Sequence, residues 1–388
     1  MSKKISFQMY VFITGMLLIA SSCQGDDDMV PGDILGLDID IAALPETILY
    51  PANNPYSPEK FELGKSLFWD PVLSGTKGVA CASCHHPDFG YADGRDLSSG
   101  VNGIGLGPNR RAGEIVRRNA PTILNVAYNG IDLAGNYNPA TAPMFWDNRA
   151  SGLEEQAILP VLSKEEMRGD LIAEDDIVDT ISQRLNAIPA YRNMFAAAYG
   201  DDAISEARIA QALATFQRSL VANNSRFDQY MRGDQNALSN QEVQGMNTFS
   251  QVGCVDCHSG PMLSDFELHT LSVPDHPLIA DNGATGAFDF RTPTLRNLRF
   301  TAPYMHNGVF DDLRDVLDFY NDISGRNPDS QNANVNDNQI DQDARNLQLN
   351  GGQINELIAF LNTLNDEDFD TSIPVSVPSG LAVGGDID

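Results

Sequence analysis

The sequence has few cysteines, few basic residues and no apolar run long enough to cross a bilayer. Only five of the 388 residues are cysteine, and the 25 lysine and arginine residues are outnumbered by 53 aspartate and glutamate residues, which gives a formal net charge of −28. Such an acidic surface repels nucleic acid and excludes a nucleic-acid-binding protein. It favours encounter with a positively charged partner, and it would equally suit a protein whose surface charge only keeps it in solution.

Period-two alternation, which is typical of half-buried strands, is also scarce. Ser57, Pro58 and Glu59 instead form a helix-start signal ahead of apolar residues at helical spacing. Two further helical faces are traced by Ile204, Ile209, Leu213, Phe216 and Leu220, and by Ile354, Ile358, Leu361 and Leu364. Loops rich in glycine, proline and asparagine lie between them, notably residues 98–119 and 273–294. We therefore expect a mainly α fold with long loops, and loops of this length are usually functional.

Four of the five cysteines occur in two copies of one motif, Cys-x-x-Cys-His. In this pattern each thiol bonds to a vinyl group of haem, and the histidine that follows becomes an axial ligand of the iron. The alternative is one structural zinc held by both cysteine pairs, but zinc does not require a histidine after each pair. The sequence therefore predicts two covalently bound haem c groups, attached and ligated by Cys81, Cys84, His85, Cys254, Cys257 and His258.

The fifth cysteine follows a short leader. Lys3 and Lys4 give a basic start, residues 11–20 are mostly apolar, and small residues precede Cys23. This indicates an export signal over residues 1–22, and the small residues resemble a bacterial lipoprotein cleavage site that leaves Cys23 lipidated. An ordinary signal peptide with an incidental cysteine is the alternative. We expect an exported protein, periplasmic or at the cell surface, anchored to a membrane by lipid chains through a flexible tether at residues 23–45.

The rest of the chain is longer than one hydrophobic core normally serves, so two domains are expected. We place an N-terminal haem domain at residues 46–203 and a C-terminal haem domain at residues 204–366. Each contains one Cys-x-x-Cys-His motif. A polar tail follows at residues 367–388.

Segments outside the haem motifs carry a wider resemblance to a known family. They include Leu63-Gly64-Lys65-Ser66-Leu67-Phe68, Asn119-Ala120-Pro121-Thr122, Phe145-Trp146-Asp147, Arg291-Thr292-Pro293-Thr294 and Tyr304-Met305-His306-Asn307-Gly308. In order and spacing over residues 57–364, the chain resembles the bacterial di-haem cytochrome c peroxidases and their MauG relatives. The resemblance implies two cytochrome c-like domains with the haems near the domain interface. It also implies that the haem on His85 binds peroxide and the haem on His258 transfers electrons.

Around the first haem, the resemblance assigns Glu166 as the catalytic glutamate that moves a proton between the peroxide oxygens. Gln156 and Pro160 match positions that frame the same pocket. Without the resemblance, Glu166 would be one of several charged residues on a solvated helix face. In many members a histidine from the loop before Asn119 closes this haem at rest. Residues 98–119 contain no histidine, so we expect the iron on His85 to be open.

Trp146 matches a family tryptophan that lies between the haems and carries electrons or holes. Tyr320 matches the distal ligand of the second haem, which is a methionine in the peroxidase branch and a tyrosine in the MauG branch. Without the resemblance, both aromatic residues would be assigned to the core. Met305 is the alternative ligand.

Three other histidines need an assignment. His306 matches a family histidine near the second haem. His269 and His276 are placed in a loop and are not expected to bind iron. His86 follows the proximal ligand directly and is expected to be a surface or structural residue.

A calcium ion is the third cofactor that the resemblance implies. Its ligands would be the side chain of Asn119 and the backbone carbonyls of Thr301 and Pro303, and ligation by oxygen alone suits calcium. Family members are often dimers, so a homodimer is one expected assembly.

Together, these features predict an enzyme that reduces hydrogen peroxide to water with electrons from an external donor, such as a small cytochrome c or cupredoxin. Two alternatives stay open at this point. One is a MauG-like oxidase that uses peroxide to oxidise a protein or organic substrate, and the other is a di-haem electron-transfer cytochrome without turnover.

Covalent attachment gives a first test. The purified, denatured protein should carry the mass of two added haem groups, because thioether bonds survive unfolding. Intact-protein mass spectrometry measures this directly. A protein that lacks both groups would contradict the interpretation of the two motifs.

Overall fold

The computed structural model describes residues 40–325 and 331–388. The predicted leader, Cys23 and the tether up to residue 39 therefore lie outside the described residues. The described chain packs as one compact unit in which helices dominate and the strands are few and short. This confirms the mainly α fold. Among the described helices, none is long and apolar enough to span a membrane.

The described part contains eleven α-helices. They are α1 (Pro58–Trp69), α2 (Gly152–Gln156), α3 (Leu159–Leu162), α4 (Glu174–Ala187), α5 (Pro189–Tyr199), α6 (Glu206–Ser219), α7 (Arg226–Met231), α8 (Asn240–Gln251), α9 (Leu313–Gly325), α10 (Gln342–Asn346) and α11 (Gly351–Leu361). The strands form two antiparallel pairs: β1 (Pro143–Met144) with β2 (Ala150–Ser151), and β3 (Leu268–Thr270) with β4 (Asp289–Arg291). Each haem motif begins in a 3-10 turn, at Cys81–Ser83 and Cys254–Asp256.

The helix-start signal before α1 is confirmed. The side chain of Ser57 accepts a hydrogen bond from the backbone N–H of Lys60, and Pro58 occupies the first helical position, where its missing N–H has no cost. The faces predicted for α6 and α11 are also present. Ile204 and Leu220 nevertheless fall just outside α6, because the helix begins after the Ser205 cap and ends at Ser219.

Helix α1 crosses α6 with unusually close backbones. A Cβ atom at Gly64 would lie 2.0 Å from the carbonyl oxygen of Ala212, so only glycine allows this approach. One turn further along, the rings of Phe68 and Phe216 meet with centroids 5.0 Å apart and planes tilted by 57°. Such tilted aromatic pairs add to the stabilisation from area burial.

Helix α8 repeats the same geometry on α11. A Cβ atom at Gly245 would lie 2.0 Å from the carbonyl oxygen of Glu356. The rings of Phe249 and Phe360 have centroids 5.2 Å apart and an interplanar angle of 60°. In both crossings a glycine precedes a phenylalanine by four residues, on the helix that leads toward a haem motif. The structure thus contains a repeat that the sequence shows only in its two short motifs.

The two crossings belong to different apolar cores, and the boundary between two haem domains at residue 203 stays a prediction. The first core contains α1, α6 and Cys81, while the second contains α8, α11 and Cys254. Helix α6 had been assigned to the C-terminal domain by the boundary at residue 203. Helical periodicity identifies an apolar face but not its partner, and Gly64 makes α1 that partner. The first core therefore extends to Leu220.

The polar tail is ordered and packs on the first core. The Gly384 N–H donates to the carbonyl of Trp69 at 2.8 Å, and the Ser83 hydroxyl donates to the carbonyl of Gly384 at 2.7 Å. Ser83 lies inside the first haem motif, so the end of the chain closes around that motif. Val377 is buried in the same core. Composition alone did not reveal this role, because backbone hydrogen bonds leave no mark in the sequence.

The last residues of the predicted flexible tether are folded. Ile41 and Leu44 are each only 1% exposed, and the N–H of Gly260 donates to the carbonyl of Asp40 at 2.7 Å. Burial of these two apolar side chains docks the segment on the protein. Residues 40–45 are thus part of the folded unit.

The helix crossings give a test of the fold. The substitutions Gly64→Ala and Gly245→Ala should each lower the free energy of unfolding by about 3 kcal/mol, because the methyl group overlaps a backbone carbonyl on the facing helix. Denaturant titration of the haem-loaded protein measures this. Gly351→Ala is the matched control, because no facing atom lies within 4 Å of the added methyl. Equal losses in all three variants would contradict the close crossings.

Candidate functional site

The first haem motif forms a tight turn in which two backbone carbonyls hold the histidine. The His85 N–H donates to the carbonyl of Cys81 at 2.9 Å, and the ring Nδ1 of His85 lies 2.9 Å from the carbonyl of Tyr91. A carbonyl can only accept, so Nδ1 carries the proton and Nε2 is the nitrogen that can bind iron. Burial lowers the pKa of His85 and raises the pKa values of Cys81 and Cys84 to about 12.

The second motif has the same arrangement. The His258 N–H donates to the carbonyl of Cys254 at 2.9 Å, and Nδ1 of His258 lies 3.0 Å from the carbonyl of Leu263. Burial lowers the pKa of His258, which keeps the imidazole neutral and able to act as a ligand. Burial also raises the pKa of the Cys254 thiol to about 12. Two histidines are thus oriented identically by backbone carbonyls a few residues downstream.

The structure argues against a single zinc shared by the two cysteine pairs. Cys81 packs on the first core and Cys254 on the second. Among the described residues, the one group with metal-ligand spacing is Cys257, Asp265 and His269. A tetrahedral site with four thiolates is therefore not formed.

His269 lies in strand β3 rather than in the expected loop, and its contacts explain why it is not a ligand. Its Nε2 is 2.9 Å from Asp265 and its Nδ1 is 2.7 Å from Asp341. The hydrogen bond to Asp265, with contributions from Cys257 and Asp341, raises the pKa of His269 to about 11. A protonated ring between two carboxylates has no lone pair for a metal. His276, also expected in a loop, bonds to Asp96 at 3.0 Å.

A large cavity adjoins the second motif. Its volume is about 220 Å³, and its lining includes Cys254, Cys257, His258, Met305, Tyr320 and Trp146. The Tyr320 hydroxyl has no hydrogen-bond partner among the described residues, and burial next to the Cys254 and Cys257 thiols raises its pKa. The apolar lining suits a haem, and the hydroxyl of Tyr320 and the sulfur of Met305 are the side-chain atoms that could hold its iron together with His258. Tyr320 and Met305 are both brought to this cavity.

Trp146 lies in the wall of the same cavity and is held firmly. It is 9% exposed, and its indole N–H donates to the carbonyl of Asn119 at 3.0 Å. Its own carbonyl accepts the N–H of Arg291 at 2.7 Å, which ties the turn between β1 and β2 to strand β4. The ring is thereby fixed between the segment that follows the 98–119 loop and the second cavity.

The residues expected to bind calcium lie together on one side of this cavity. Asn119, Thr301 and Pro303 all line it. The side-chain nitrogen of Asn119 is 3.4 Å from the carbonyl of Pro303, and its backbone N–H donates to the carbonyl of His306 at 2.8 Å. The two ends of an asparagine amide exchange by rotation about one bond. An amide oxygen and two carbonyls in this position fit a hard cation such as calcium.

His306 and His86 are both buried, and each packs against an aromatic ring. The ring of His306 stacks on Phe290 with centroids 3.6 Å apart, and burial lowers its pKa to about 3. His86 is 2% exposed and meets the ring of Trp69 edge to face. It is a core residue and does not lie on the surface.

Glu166 is distinguished from its neighbour Glu165 by its environment. It sits in a π-helical turn, Lys164–Arg168, that Ser163 caps by accepting the Glu166 N–H at 3.3 Å. Glu166 is half-buried, and this burial raises the pKa of its carboxyl, partly offset by Arg149. Glu165 is exposed. The negative charge of Glu166 raises the pKa values of both Cys81 and Cys84, so the carboxyl lies near the first haem motif.

Gln156 and Pro160, expected to frame the pocket of the first haem, lie in the two short helices that precede the turn of Glu166. Gln156 ends helix α2, and its Oε1 atom is buried without a hydrogen-bond partner among the described residues. Pro160 is the second residue of α3. A buried acceptor without a donor is costly and indicates a group that enters the pocket during function.

The loop at residues 98–119 is held in one position by Arg110. This arginine is 2% exposed and donates hydrogen bonds to the carbonyls of Ser99, Gly100, Gly105 and Asp386, the last from the tail. The N–H of Val101 also donates to the carbonyl of Glu165 at 2.9 Å. The loop thus braces the turn that carries Glu166.

A family model described as di-haem cytochrome c peroxidase matches residues 58–236. The methylamine utilization protein MauG of Methylophilus methylotrophus is 33% identical over 329 residues, which cover 83% of this chain and 87% of that protein. The chain belongs to the di-haem cytochrome c peroxidase and MauG family. Cytochrome c551 peroxidase of Nitrosomonas europaea is 31% identical over 338 residues, covering 84% of this chain and 86% of its own.

Solved structures agree with this membership. A MauG-like protein associated with microbial copper homeostasis has 29% sequence identity and a TM-score of 0.69, with 84% of this chain and 95% of that chain covered. The diheme peroxidase BthA from Burkholderia thailandensis has 25% identity and a TM-score of 0.63, with 88% and 98% covered. The resemblance found in the sequence is thereby confirmed.

The sequence analysis did not identify two arginines that lie near the haem motifs. Arg110 organises the loop beside the first motif, and Arg291 lines the second cavity. The only available signal for Arg291 was its place in the Arg-Thr-Pro-Thr segment. Arg110 gave none, because a surface loop is the ordinary place for an arginine.

Proposed function

We propose that this protein is a di-haem cytochrome c peroxidase that reduces hydrogen peroxide to water with electrons from an external donor. The observation that carries the proposal is the combination of two histidines held alike by backbone carbonyls with a half-buried carboxyl whose charge acts on the thiols of the first motif. Family membership supports the same reaction. When bound, the two haems supply the iron at which peroxide reacts and through which electrons arrive.

The two helix crossings support a pair of cytochrome c-like halves, one for each haem. Each crossing places a helix directly before or beside a Cys-x-x-Cys-His turn, at Cys81 and at Cys254. His85 and His258 would be the proximal ligands, because their Nδ1 atoms are already committed to carbonyls. The shared wall that contains Trp146 and Asn119 would place the haems near one another.

Glu166 is the proton-transfer group in this proposal. As a carboxylate it accepts the proton of the near peroxide oxygen and returns it to the far oxygen, so that water can leave. Its raised pKa makes it a better base than an ordinary surface glutamate. Gln156 supplies a hydrogen-bond acceptor for peroxide or water in the pocket, and Pro160 shapes the wall opposite.

The first haem would be open at rest. Residues 98–119 lack a histidine that could occupy the iron, and Arg110 holds this loop through four carbonyls. Peroxide could then react without a prior rearrangement of the loop. Trp146 would carry electrons from the second haem, because its ring is rigid and lies in the wall of the second cavity.

The distal ligand of the second haem is proposed to be Tyr320. Its hydroxyl lies in the cavity, and both thiols of the second motif influence it electrostatically. An anionic phenolate would stabilise ferric iron more than the thioether of Met305 does. Asn119, Thr301 and Pro303 would hold a calcium ion beside the path between the haems, where a cation would fix the segment that accepts the Trp146 hydrogen bond.

The cellular location, the electron donor and the assembly of the protein are also part of the proposal. The leader, Cys23 and the acidic tether favour an exported lipoprotein at the periplasmic or cell surface, as haem c attachment requires an exported chain. The acidic surface favours a basic donor, either a small cytochrome c or a cupredoxin. A homodimer is the expected assembly. A pure electron carrier would not need a half-buried Glu166 carboxyl beside the first motif. A MauG-like oxidase is supported by Tyr320, by the lack of a histidine in residues 98–119 and by the similarity to MauG proteins.

The spin states of the irons test the open site and the ligand. The resting ferric protein should give one high-spin and one low-spin EPR signal. Tyr320→Phe should change only the low-spin signal, while Met305→Leu should leave both unchanged. Two low-spin signals would contradict the open first haem, and a low-spin change in Met305→Leu alone would assign the ligand to Met305.

The role of Glu166 is tested by a pair of neighbouring variants. Glu166→Gln should lower peroxide turnover by about 10²- to 10⁴-fold, which is the usual contribution of general acid-base catalysis. Glu165→Gln should turn over peroxide like the parent, because Glu165 is exposed. Steady-state peroxide consumption with a reduced donor measures both, and equal activities in the two variants would reject the assignment.

The pH dependence gives an independent readout for Glu166. The carboxylate form is required, so turnover should fall as the pH drops through the pKa of Glu166. Burial raises that pKa, so the fall should begin at a higher pH than for an exposed glutamate. The residual activity of Glu166→Gln should lack this acid limb. An unchanged limb in that variant would show that another group titrates.

A further inference from the structure

Arg291 is a buried cation that has no carboxylate partner. It ends strand β4, is 9% exposed, and donates from Nε to the carbonyl of Phe145 at 2.7 Å. It forms no ion pair with any of the described carboxylates, and its other guanidinium nitrogens have no hydrogen-bond partner in the described chain. Burial lowers its pKa to about 10. An unpaired buried charge is costly, so such a group is normally matched by an anion.

Two other buried arginines of the described chain are paired with carboxylates, although Nε of Arg218 has no hydrogen-bond partner among the described residues. Arg218 binds Glu154 through two nitrogens, each 2.9 Å from a carboxylate oxygen, and Arg296 binds Asp228 at 2.8 Å. Arg110 has no carboxylate, but it is satisfied by four carbonyls. Arg291 differs because the described chain offers its guanidinium one carbonyl and the ring of Phe266, whose centroid is 5.8 Å away, but no carboxylate within ion-pair distance.

The free side of Arg291 faces the second cavity. The residue lines this cavity together with His258, Tyr320 and Trp146. Asp147, next to Trp146, is the charged group that acts on Arg291, whereas Cys254 and Cys257 are those that act on Tyr320. Arg291 is therefore on the Trp146 side of the cavity, while Tyr320 is on the side of the thiols.

We propose that the guanidinium of Arg291 binds a propionate carboxylate of the second haem. The inference rests on the proposed function only in that a haem occupies this cavity. Thioether bonds fix one edge of a haem c, and the two propionates project from the opposite edge. A guanidinium matches a carboxylate through two parallel hydrogen bonds. Arg291 thereby positions the propionate edge beside Trp146, and its charge favours the reduced iron.

The test uses the haem-loaded protein and reads the second haem without peroxide turnover. Arg291→Gln should lower the reduction equilibrium constant of the low-spin haem about tenfold, which is about 59 mV for a one-electron couple. Spectroelectrochemical titration measures this shift. Arg291→Lys keeps the charge and should retain most of the potential. It should nevertheless shift the propionate bending band in resonance Raman spectra, because the paired hydrogen bonds are lost.

Arg299→Gln is the matched control, because Arg299 is an exposed arginine paired with Glu367. It should change neither the potential nor the Raman band. If Arg291→Gln fails to load haem, the Raman band of Arg291→Lys decides. An unchanged band in Arg291→Lys, or an unchanged potential in a fully loaded Arg291→Gln, would overturn the proposal. The potential and the Raman band are both measured without peroxide turnover. The proposal for Arg291 can therefore fail while the protein is an active peroxidase, and it can hold even if the protein is not a peroxidase.

Discussion

The structure depends on two places where helix backbones touch through a glycine. At Gly64 and at Gly245, the absence of a side chain lets a carbonyl of the facing helix approach to a distance that any Cβ would forbid. Each contact sets the position of a phenylalanine pair and of the haem motif next to it. A haem held by thioether bonds needs its histidine at a fixed height and angle, so a rigid crossing beside the motif defines the pocket.

Burial shifts the pKa values of the titratable groups of the site in different directions. It lowers the pKa values of the histidines and of Arg291 and raises that of Glu166. Burial lowers the pKa values of His85 and His258, and in each ring Nδ1 donates its proton to a backbone carbonyl. Glu166 is a stronger base than Glu165, although the two are adjacent in the chain, because only one of them is turned inward. Arg291 lies in the interior without an ion pair to a described carboxylate, although the charge of Asp147 acts on it. The site thus combines neutral ligands, one basic carboxyl and one cation in need of a counter-charge.

The sequence was informative where chemistry is local. A thiol, a second thiol and a histidine at fixed spacing identify haem attachment without any tertiary structure, and the Ser57 cap with Pro58 identifies the start of α1. The family resemblance extended this to Glu166 and Trp146. The sequence did not show that helix α6 packs in the first core, because an apolar helix face does not reveal which other helix it contacts. It also missed the ordered tail and Arg110, whose contacts are to backbone carbonyls that every residue possesses.

The sequence by itself determined the number of haem attachment sites, the helical class and the family, because these follow from residue type and local spacing. The tertiary structure decided which helices cross, which of two adjacent glutamates is enclosed, and that Arg291 lies on the wall of the second cavity near Trp146. These features arise from close approach between segments far apart in the chain. The pKa values and the ion pairs depend on burial and on distances between side chains, and the folded chain alone determines these.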